Sequence, residues 1–434
     1  MGGRLGLKIE QQIKRSWLHK VISASIVFVV FAAALLRAYS RVSPDFSVFY
    51  HAWGLVWNGH GNRIYQEGPD RYLYSPGFAW LLAPLGGLSF DLAFGIWCLL
   101  KVFGLLFVSK WMVSLIEGES NRKGVELAES SVHWLSVALG IAFIARPLLI
   151  DFEYGQVNVF ILTVVVLSIA THLDSRTSLF KISASWFLLG WLAVAKIFPG
   201  PILLLPWFLP LRNSEKKLNF ARGFSLLGVS VSLFAPVISQ GWRGALRLLF
   251  DWKDALISRG FPVESHNQSF LAFVYHFLSG HPTFVLSQNG REIAFGWAFL
   301  TPAQLTLVGS AWAFLSMGWL LAWLTRGPGN QSARWMAVLT ALLVIPSHLV
   351  WKPYFLMALP LAIFGASQLL IQKKRGRDWF VFFVLFAAVN LTSFDFVGSA
   401  WGPFFEASST FLVAHLALMV WVISELSPNE KSKI

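Results

Sequence analysis

The sequence has little cysteine and little charge. Its one cysteine among 434 residues, Cys98, lies in an apolar run, which excludes an intramolecular disulfide framework. Charged residues are 13% of the chain and hydrophobic residues 56%, a profile that excludes a soluble domain. We find no internal repeat, no glycine-rich phosphate loop and no stretch of ~100 residues between the apolar runs that fits a soluble domain. Any activity must therefore be built from helix ends and short loops.

Long apolar runs are present in abundance. Runs of about 18 residues or more match the roughly 30 Å hydrocarbon core of a bilayer. The first run, Val21 to Leu36, follows five basic residues. A cleaved signal peptide is the alternative, but no small-x-small site follows and Arg37 comes next. The sequence therefore predicts an all-α polytopic membrane protein whose first span is a signal anchor.

Basic residues predict the orientation. With one crossing before residue 90, the cytoplasmic segments hold 22 of the 35 Lys and Arg. The formal charge of +13 follows from this asymmetry and from contact with anionic membrane lipids, so nucleic-acid binding is not predicted. We expect cytoplasmic ends (1–20 and 425–434) around one transmembrane domain (21–424), with an external loop of interfacial helices (40–90) and a second external loop (240–297). The predicted spans are twelve: 21–39, 91–115, 132–147, 156–173, 182–196, 198–210, 223–239, 298–324, 335–347, 354–372, 379–394 and 407–424.

The first external loop carries the acid that we single out. Asp45 directly follows Pro44, near the predicted start of an interfacial helix. As an N-cap it would only satisfy free helix N–H groups. Aromatic residues recur around it at helical spacing, and most are expected to be interfacial anchors. An acid held at the membrane–water boundary among aromatic rings favours chemistry on a lipid-borne substrate, with Asp45 catalytic and Tyr50 and Tyr74 as substrate contacts.

A second polar cluster opens a later predicted span. Gln156 and Asn158 enter the helix directly after Gly155. Capping alone explains one of the two amides. Both amides, with Gly155 permitting close approach, better suit hydrogen bonds to sugar hydroxyls. Asp151 and Glu153 are candidates for a second acid pair, and two acids without a neighbouring histidine make a weak metal signal.

Basic residues near external helix ends are candidates for binding phosphate. Lys196 lies at the tip of a helical hairpin, where it either snorkels outward or meets a phosphate. Arg146 and Lys352 are further candidates for stabilising a departing phosphate. His348 is a candidate partner of Asp45, although a lone histidine is more often structural.

A set of residues occurs along the chain in this order: Asp45 with Phe49 and Tyr50, Tyr65, Tyr74-Ser75-Pro76, Gly155-Gln156-Val157-Asn158, Lys196 with Pro199, and Asn267-Gln268-Ser269. The last three also match a glycosylation sequon. The ordered set resembles the α-1,2-mannosyltransferase family typified by the mycobacterial phosphatidylinositol-mannoside mannosyltransferase, which belongs to the GT-C class of polytopic glycosyltransferases. The resemblance covers about residues 20–360.

The resemblance implies a polyprenyl-phosphate sugar donor, inverting transfer and an active site on the external face of the plasma membrane. It implies a catalytic Asp in the first loop, which is Asp45, assisted by a histidine in a later external loop, for which His348 is the best match. Asn267, Gln268 and Ser269 become substrate-binding candidates. We expect transfer of a hexosyl unit, with mannose first, to a lipid-linked or glycan acceptor. No cofactor is predicted, and a divalent cation is left open.

Two other classes stay open. A lipid or polysaccharide transporter predicts charges near the membrane midplane on both halves of a repeat. A non-catalytic membrane scaffold would tolerate loss of Asp45.

Overall fold

The computed structural model describes residues 2–40, 43–122, 130–209, 214–258, 266–279, 298–329, 331–371, 376–392 and 394–424, and these ranges form helices and no strand. The helices of the first half are α1 (Gly2–Ser40), α2 (Pro44–Trp57), α3 (Pro76–Leu82), α4 (Phe90–Arg122), α5 (Ser130–Phe143), α6 (Ala145–Tyr154), α7 (Asn158–Leu173), α8 (Leu179–Ala195) and α9 (Leu205–Phe208). Those of the second half are α10 (Glu215–Phe234), α11 (Val237–Ser258), α12 (Phe270–Leu278), α13 (Pro302–Arg326), α14 (Ser332–Leu342), α15 (Leu359–Ile371), α16 (Gly376–Asn390), α17 (Phe394–Ala407) and α18 (Thr410–Ser424). Short 3₁₀ turns occupy Gly61–Arg63, Ala83–Gly87, Gly200–Leu204 and Lys352–Ala358.

Four stretches are long and apolar enough to cross a bilayer. They are Ser16–Ser40, Phe90–Ser120, Pro302–Arg326 and Lys352–Ile371. Two bent pairs, α5 with α6 at 62° and α10 with α11 at 75°, raise the number to six if each pair is one span. The chain is therefore a polytopic membrane protein. The predicted total of twelve crossings remains a prediction, because α7, α8 and α18 are shorter apolar helices.

One predicted span has a different structure. Residues 198–210 were expected to form a single helix, but the described part contains the 3₁₀ turn Gly200–Leu204 followed by the four-residue α9. Pro201 and Pro206 lack the N–H that a continuous helix requires.

The predicted second external loop, 240–297, begins with a helix that the sequence reading missed. Helix α11 is kinked at Gly241, and after the kink it exposes Trp242, Leu246 and Phe250, which follow one another at four-residue spacing and so share a face. Its other face is tied to the first loop, since Trp252 Nε1 donates to the Leu73 carbonyl at 3.0 Å. Residues 259–265 and 280–297 of this loop lie outside the described residues, as do the predicted tail 425–434 and several of the basic residues that set the orientation, namely Lys123, Arg212, Lys373, Lys374, Arg375, Lys431 and Lys433.

The first predicted loop does contain two helices, α2 and α3. Helix α2 has Ser43 at its N-cap position and Pro44 in its first turn, where the missing N–H costs nothing. Asp45 is therefore not the N-cap, and its carboxylate is directed to other partners. The buried Phe46, Phe49 and Trp53 make ring contacts with Trp97 of α4 at centroid distances of 5.4–6.2 Å. This aromatic packing fixes the helix that carries Asp45.

Helices α8 and α10 pack closely through two glycines. A Cβ atom on Gly190 would lie 2.1 Å from the Ser225 carbonyl oxygen, and one on Gly228 would lie 2.1 Å from that of Phe187. Such contact between backbones is typical of small residues at membrane helix interfaces. It fixes α8, whose C-cap residue is Lys196.

Candidate functional site

The site is built around the end of α6. Gly155 has φ 68° and ends the helix with two backbone bonds, from Gln156 N to the Asp151 carbonyl at 2.9 Å and from Gly155 N to the Phe152 carbonyl at 3.1 Å. This pair of bonds is the Schellman motif, in which glycine is favoured because the φ angle is left-handed. The motif turns the chain sharply before α7 begins.

Gly155 is also required by space. A Cβ atom there would lie 2.4 Å from Cβ of Phe46 on α2, which no side chain tolerates. The Gly155 carbonyl accepts a hydrogen bond from Trp97 Nε1 at 2.9 Å. The space beside Gly155, which was expected to allow the approach of a sugar, is filled by Phe46 of α2. As a result, Gln156 comes next to Asp45.

Four of the predicted residues form a connected set that we call the Gln156 network: Asp45, Gln156, Asn158 and Lys196. Gln156 Nε2 donates to Asp45 Oδ2 at 2.5 Å. Gln156 Oε1 accepts from Asn158 Nδ2 at 2.9 Å and from Lys196 Nζ at 3.3 Å. Lys196 Nζ also donates to Asn158 Oδ1 at 2.9 Å. The two amides are buried, while Asp45 and Lys196 are partly exposed, so the charged groups are the accessible ones.

A buried ion pair lies behind this network. Lys101 Nζ is 2.7 Å from Asp151 Oδ1 and donates to the Asp151 backbone carbonyl at 2.9 Å. Asn158 Nδ2 donates to Asp151 Oδ2 at 3.0 Å. The sequence reading did not select Lys101, although a lysine inside an otherwise apolar span is the kind of signal that could have found it.

The predicted pairing of Asp151 with Glu153 is wrong. The two carboxylates reach different cations, because Asp151 pairs with Lys101 of α4 and Glu153 pairs with Arg37 of α1. Side chains two residues apart on a helix point in different directions. The acids of α6 therefore fasten it to two separate helices.

Aromatic rings enclose the charged end of the Gln156 network. Lys196 Nζ lies 4.3 Å from the centroid of the Tyr354 ring, which contacts Phe198 at 4.8 Å. On the other side, burial and the nearby charge of Asp45 raise the pKa of Tyr74 well above its ordinary value. Tyr74 is thus a neutral hydroxyl at physiological pH close to Asp45.

A second polar set, the Glu406 cluster, consists of His266, Gln268, Lys352 and Glu406. His266 Nδ1 lies 2.8 Å from Glu406 Oε2, and Lys352 Nζ donates to Glu406 Oε1. Gln268 Nε2 donates to the Glu406 backbone carbonyl at 2.7 Å. Burial acts to raise the pKa of Glu406, but bonds and charges from His266 and Lys352 outweigh it, so the pKa is lowered. Glu406 was missed because it lies beyond the range of the resemblance.

Several other predicted residues make hydrogen bonds in which one partner is a backbone group. Tyr50 Oη donates to the Leu88 carbonyl at 2.7 Å, and the Arg146 backbone N–H donates to Asn390 Oδ1 at 3.0 Å. Ser269 caps α12. Asn267 Nδ2 donates to the backbone carbonyl of His348 at 3.2 Å.

His348 has an exposed side chain, and Gln156 is one side chain that is bonded to Asp45. Partial burial lowers the pKa of His348. The assistance of Asp45 by His348 stays a prediction. Within the described ranges, no three metal-binding side chains come together.

Part of the Gln156 network lies in a region that matches a known protein family. The model of glycosyltransferase family 87 matches residues 72–351, which include Gln156, Asn158 and Lys196, while Asp45 and Glu406 lie outside the match. A search of curated proteins found no significant match.

Proposed function

The chain belongs to glycosyltransferase family 87, and on that premise we propose that it moves a hexosyl unit, mannose first, from a polyprenyl-phosphate donor to a lipid-linked or glycan acceptor. Its apolar helices and its family together make it a membrane glycosyltransferase. We propose the identity of the donor, the direction in which the sugar is transferred and the roles of the residues described below.

One observation carries the assignment of roles. The single amide of Gln156 donates to the Asp45 carboxylate and accepts from the Lys196 ammonium. It therefore holds a potential base and a potential phosphate ligand on either side of one buried group. Glycosyl transfer from a phosphate-linked sugar needs these two groups near one anomeric carbon.

In the proposed reaction, the acceptor hydroxyl oxygen attacks the anomeric carbon and its proton passes to Asp45. The bond from that carbon to the phosphate oxygen breaks, and the electron pair leaves with the polyprenyl phosphate. Attack from the face opposite the leaving group inverts the configuration. A general base of this kind contributes about 10²- to 10⁴-fold.

Lys196 is the favoured ligand of the departing phosphate. Its ammonium is held by the Gln156 and Asn158 amide oxygens and the Tyr354 ring. It is therefore oriented before substrate binds, which is the condition for stabilising charge that develops in the transition state. Lys352 is less suited because Glu406 already neutralises its charge. Arg146 remains a candidate for a second phosphate contact.

We place the reaction on the external face of the membrane. Nucleotide sugars are made in the cytoplasm, so a sugar used outside must arrive on a lipid. The predicted orientation, with basic segments inside, puts the Gln156 network outside. The rings around Lys196 and Asp45 would stack on the sugar, and His348 would assist Asp45 from the later loop.

The test uses the purified full-length chain in lipid nanodiscs with radiolabelled polyprenyl-phosphate mannose and a membrane lipid extract. Asp45→Asn should lower transfer by about 10²- to 10⁴-fold because the base is lost. Asp91→Asn is the matched control, since it removes an exposed acid in the first turn of α4. It should leave transfer within about twofold.

Equal transfer by wild type and Asp45→Asn would remove Asp45 as the base. Absence of transfer by wild type with mannose and with other prenyl-linked hexoses would overturn the proposed donor class.

A further inference from the structure

Lys101 and Asp151 are buried where no substrate can reach them. Both side chains are 0% exposed, and Lys101 lies on α4 about 16 Å along the helix from its start. The Lys101 ammonium also lies 4.9 Å from the centroid of the Phe152 ring. Charges in a membrane-spanning helix are expensive and are usually paired and functional. The role of this ion pair is therefore inferred from the polar groups that it contacts.

The pair leads directly to the candidate base through side-chain hydrogen bonds. Lys101 fixes one oxygen of Asp151, and the other oxygen accepts from Asn158 Nδ2 at 3.0 Å and from its backbone N–H at 3.3 Å. The same Nδ2 group donates to Gln156 Oε1 at 2.9 Å. Gln156 Nε2 then donates to Asp45.

Each bond in this series determines the direction of the next. Asn158 presents its NH₂ group to Asp151, so its oxygen faces Lys196. Gln156 presents its oxygen to the Asn158 NH₂ group, so its own NH₂ group must face Asp45. An amide with the opposite orientation would place an oxygen against the carboxylate. The charge on Asp151 therefore favours this orientation of both amides from the buried side, and Lys196 favours it from the other side.

We infer that Lys101 and Asp151 are positioning residues whose ion pair orients the Asn158 and Gln156 amides and thereby the Asp45 carboxylate. This inference rests on the proposed function of Asp45 as the base. A merely structural pair would hold α4 to α6 without changing the surroundings of the Asp45 carboxylate.

The first test measures the infrared bands of the Asp45 carboxylate in the absence of substrate. Infrared spectra of the full-length chain in nanodiscs are recorded with and without Asp45→Asn, and the difference isolates the Asp45 carboxylate bands. Gln156→Ala removes the hydrogen bond and should shift the antisymmetric stretch. Lys101→Met should shift it in the same direction.

Two further variants separate positioning from loss of folding. Lys101→Met with Asp151→Leu leaves no unpaired charge in the interior and no acceptor for the Asn158 NH₂ group, and it is expected to keep the fold while removing the ion pair. It should give the same band shift. Glu119→Gln is the control, because Glu119 is a buried acid on the same helix, about 27 Å beyond Lys101. It should leave the band in place. An unchanged band in the Lys101→Met/Asp151→Leu chain overturns the inference.

The second test is kinetic. Lys101→Met should lower kcat for transfer by about 10- to 100-fold with less than about a threefold change in the KM for the donor. In a Gln156→Ala background, Lys101→Met should have almost no further effect, because the residue through which it acts is gone. An equal loss in both backgrounds would show a structural role and overturn the inference.

The two tests also separate this inference from the proposed function. A band shift in a chain that transfers no prenyl-linked hexose would retain the positioning role and remove the proposed reaction. Transfer that depends on Asp45, together with an unchanged band, would retain the reaction and remove the positioning role.

Discussion

The Gln156 network and the Glu406 cluster each contain one carboxylate and one lysine, but they hold them differently. In the first, a neutral amide separates Asp45 from Lys196. In the second, Lys352 contacts Glu406 directly and His266 contacts the other oxygen. Asp45 is partly exposed, whereas Glu406 is buried.

The difference indicates that the two sets have different roles. A carboxylate in a direct ion pair is stabilised in its charged form and becomes a weaker base. The Asp45 carboxylate is partly exposed and is therefore accessible to a substrate. The Glu406 cluster therefore fastens α17 to the segments that carry His266 and Lys352, and the Gln156 network is left for chemistry.

The largest effect is expected when the lysine of each set is replaced, which tests the comparison directly. Lys196→Met should lower transfer by about 10²- to 10³-fold, because the developing phosphate charge loses its oriented cation. Lys352→Met should lower the thermal midpoint of unfolding and affect transfer far less. Initial rates and differential scanning fluorimetry on both variants check this, and a larger rate loss in Lys352→Met would reverse the assignment of roles.

Gly155→Ala should lower transfer by about 10²-fold by displacing Gln156 from Asp45. The new methyl group would meet Phe46, and φ 68° adds strain of about 1–3 kcal/mol. Gly241→Ala is a useful control, because Gly241 also has positive φ but has open space around its Cβ position. If both variants lose transfer equally, the contact with Phe46 is not what matters.

Glu406→Gln should cost about 3–5 kcal/mol of unfolding free energy, because it leaves the Lys352 charge without its carboxylate. The pH dependence has a defined sign. The lowered pKa means that the carboxylate contributes fully above its ordinary value of 4.5 and loses this contribution as pH falls through the lowered value. The thermal midpoint of unfolding of the wild type should therefore fall in that acid range, and the midpoint of the variant should fall less. Identical pH profiles would exclude Glu406 as the group responsible.

His348→Ala should have the smallest effect, a loss of transfer of about tenfold or less. The side chain is accessible to solvent, but its partial burial lowers the pKa, so the neutral ring predominates at pH 7. Rates measured between pH 7 and 8 should have the same pH dependence in wild type and variant. A loss as large as that of Asp45→Asn would establish His348 as a full catalytic partner.

Sequence alone identified the helical membrane class and the helices of the first loop, because both follow from apolar run length and spacing. It also selected the four members of the Gln156 network, although it gave no contacts among them. Those contacts depend on Gly155, whose left-handed φ and missing side chain bring α2 against the end of α6. A local pattern cannot show which distant helix fills that space.

The features that were missed are long-range or have a weak local signal. Lys101 is 50 residues from Asp151 and Glu406 is 54 residues from Lys352, so neither pairing is visible from spacing. Helix α11 was read as loop because its polar residues interrupt the apolar run. The segment 198–210 was read as a span because its hydrophobic composition concealed the effect of its prolines.

The pairing of Lys101 with Asp151 also constrains how the chain is inserted into a membrane. Synthesis delivers Lys101 on α4 before its partner exists, and the intervening 50 residues require about 3–10 s at ~5–20 residues per second. During that interval a lone lysine in the helix opposes insertion by about 2.5–3.5 kcal/mol. The surrounding leucine, phenylalanine and valine residues of α4 each favour insertion by about 0.3–0.6 kcal/mol, so several of them offset the charge. The strong hydrophobicity of α4 is thus a requirement of biogenesis, because it retains an unpaired charge in the membrane until α6 arrives.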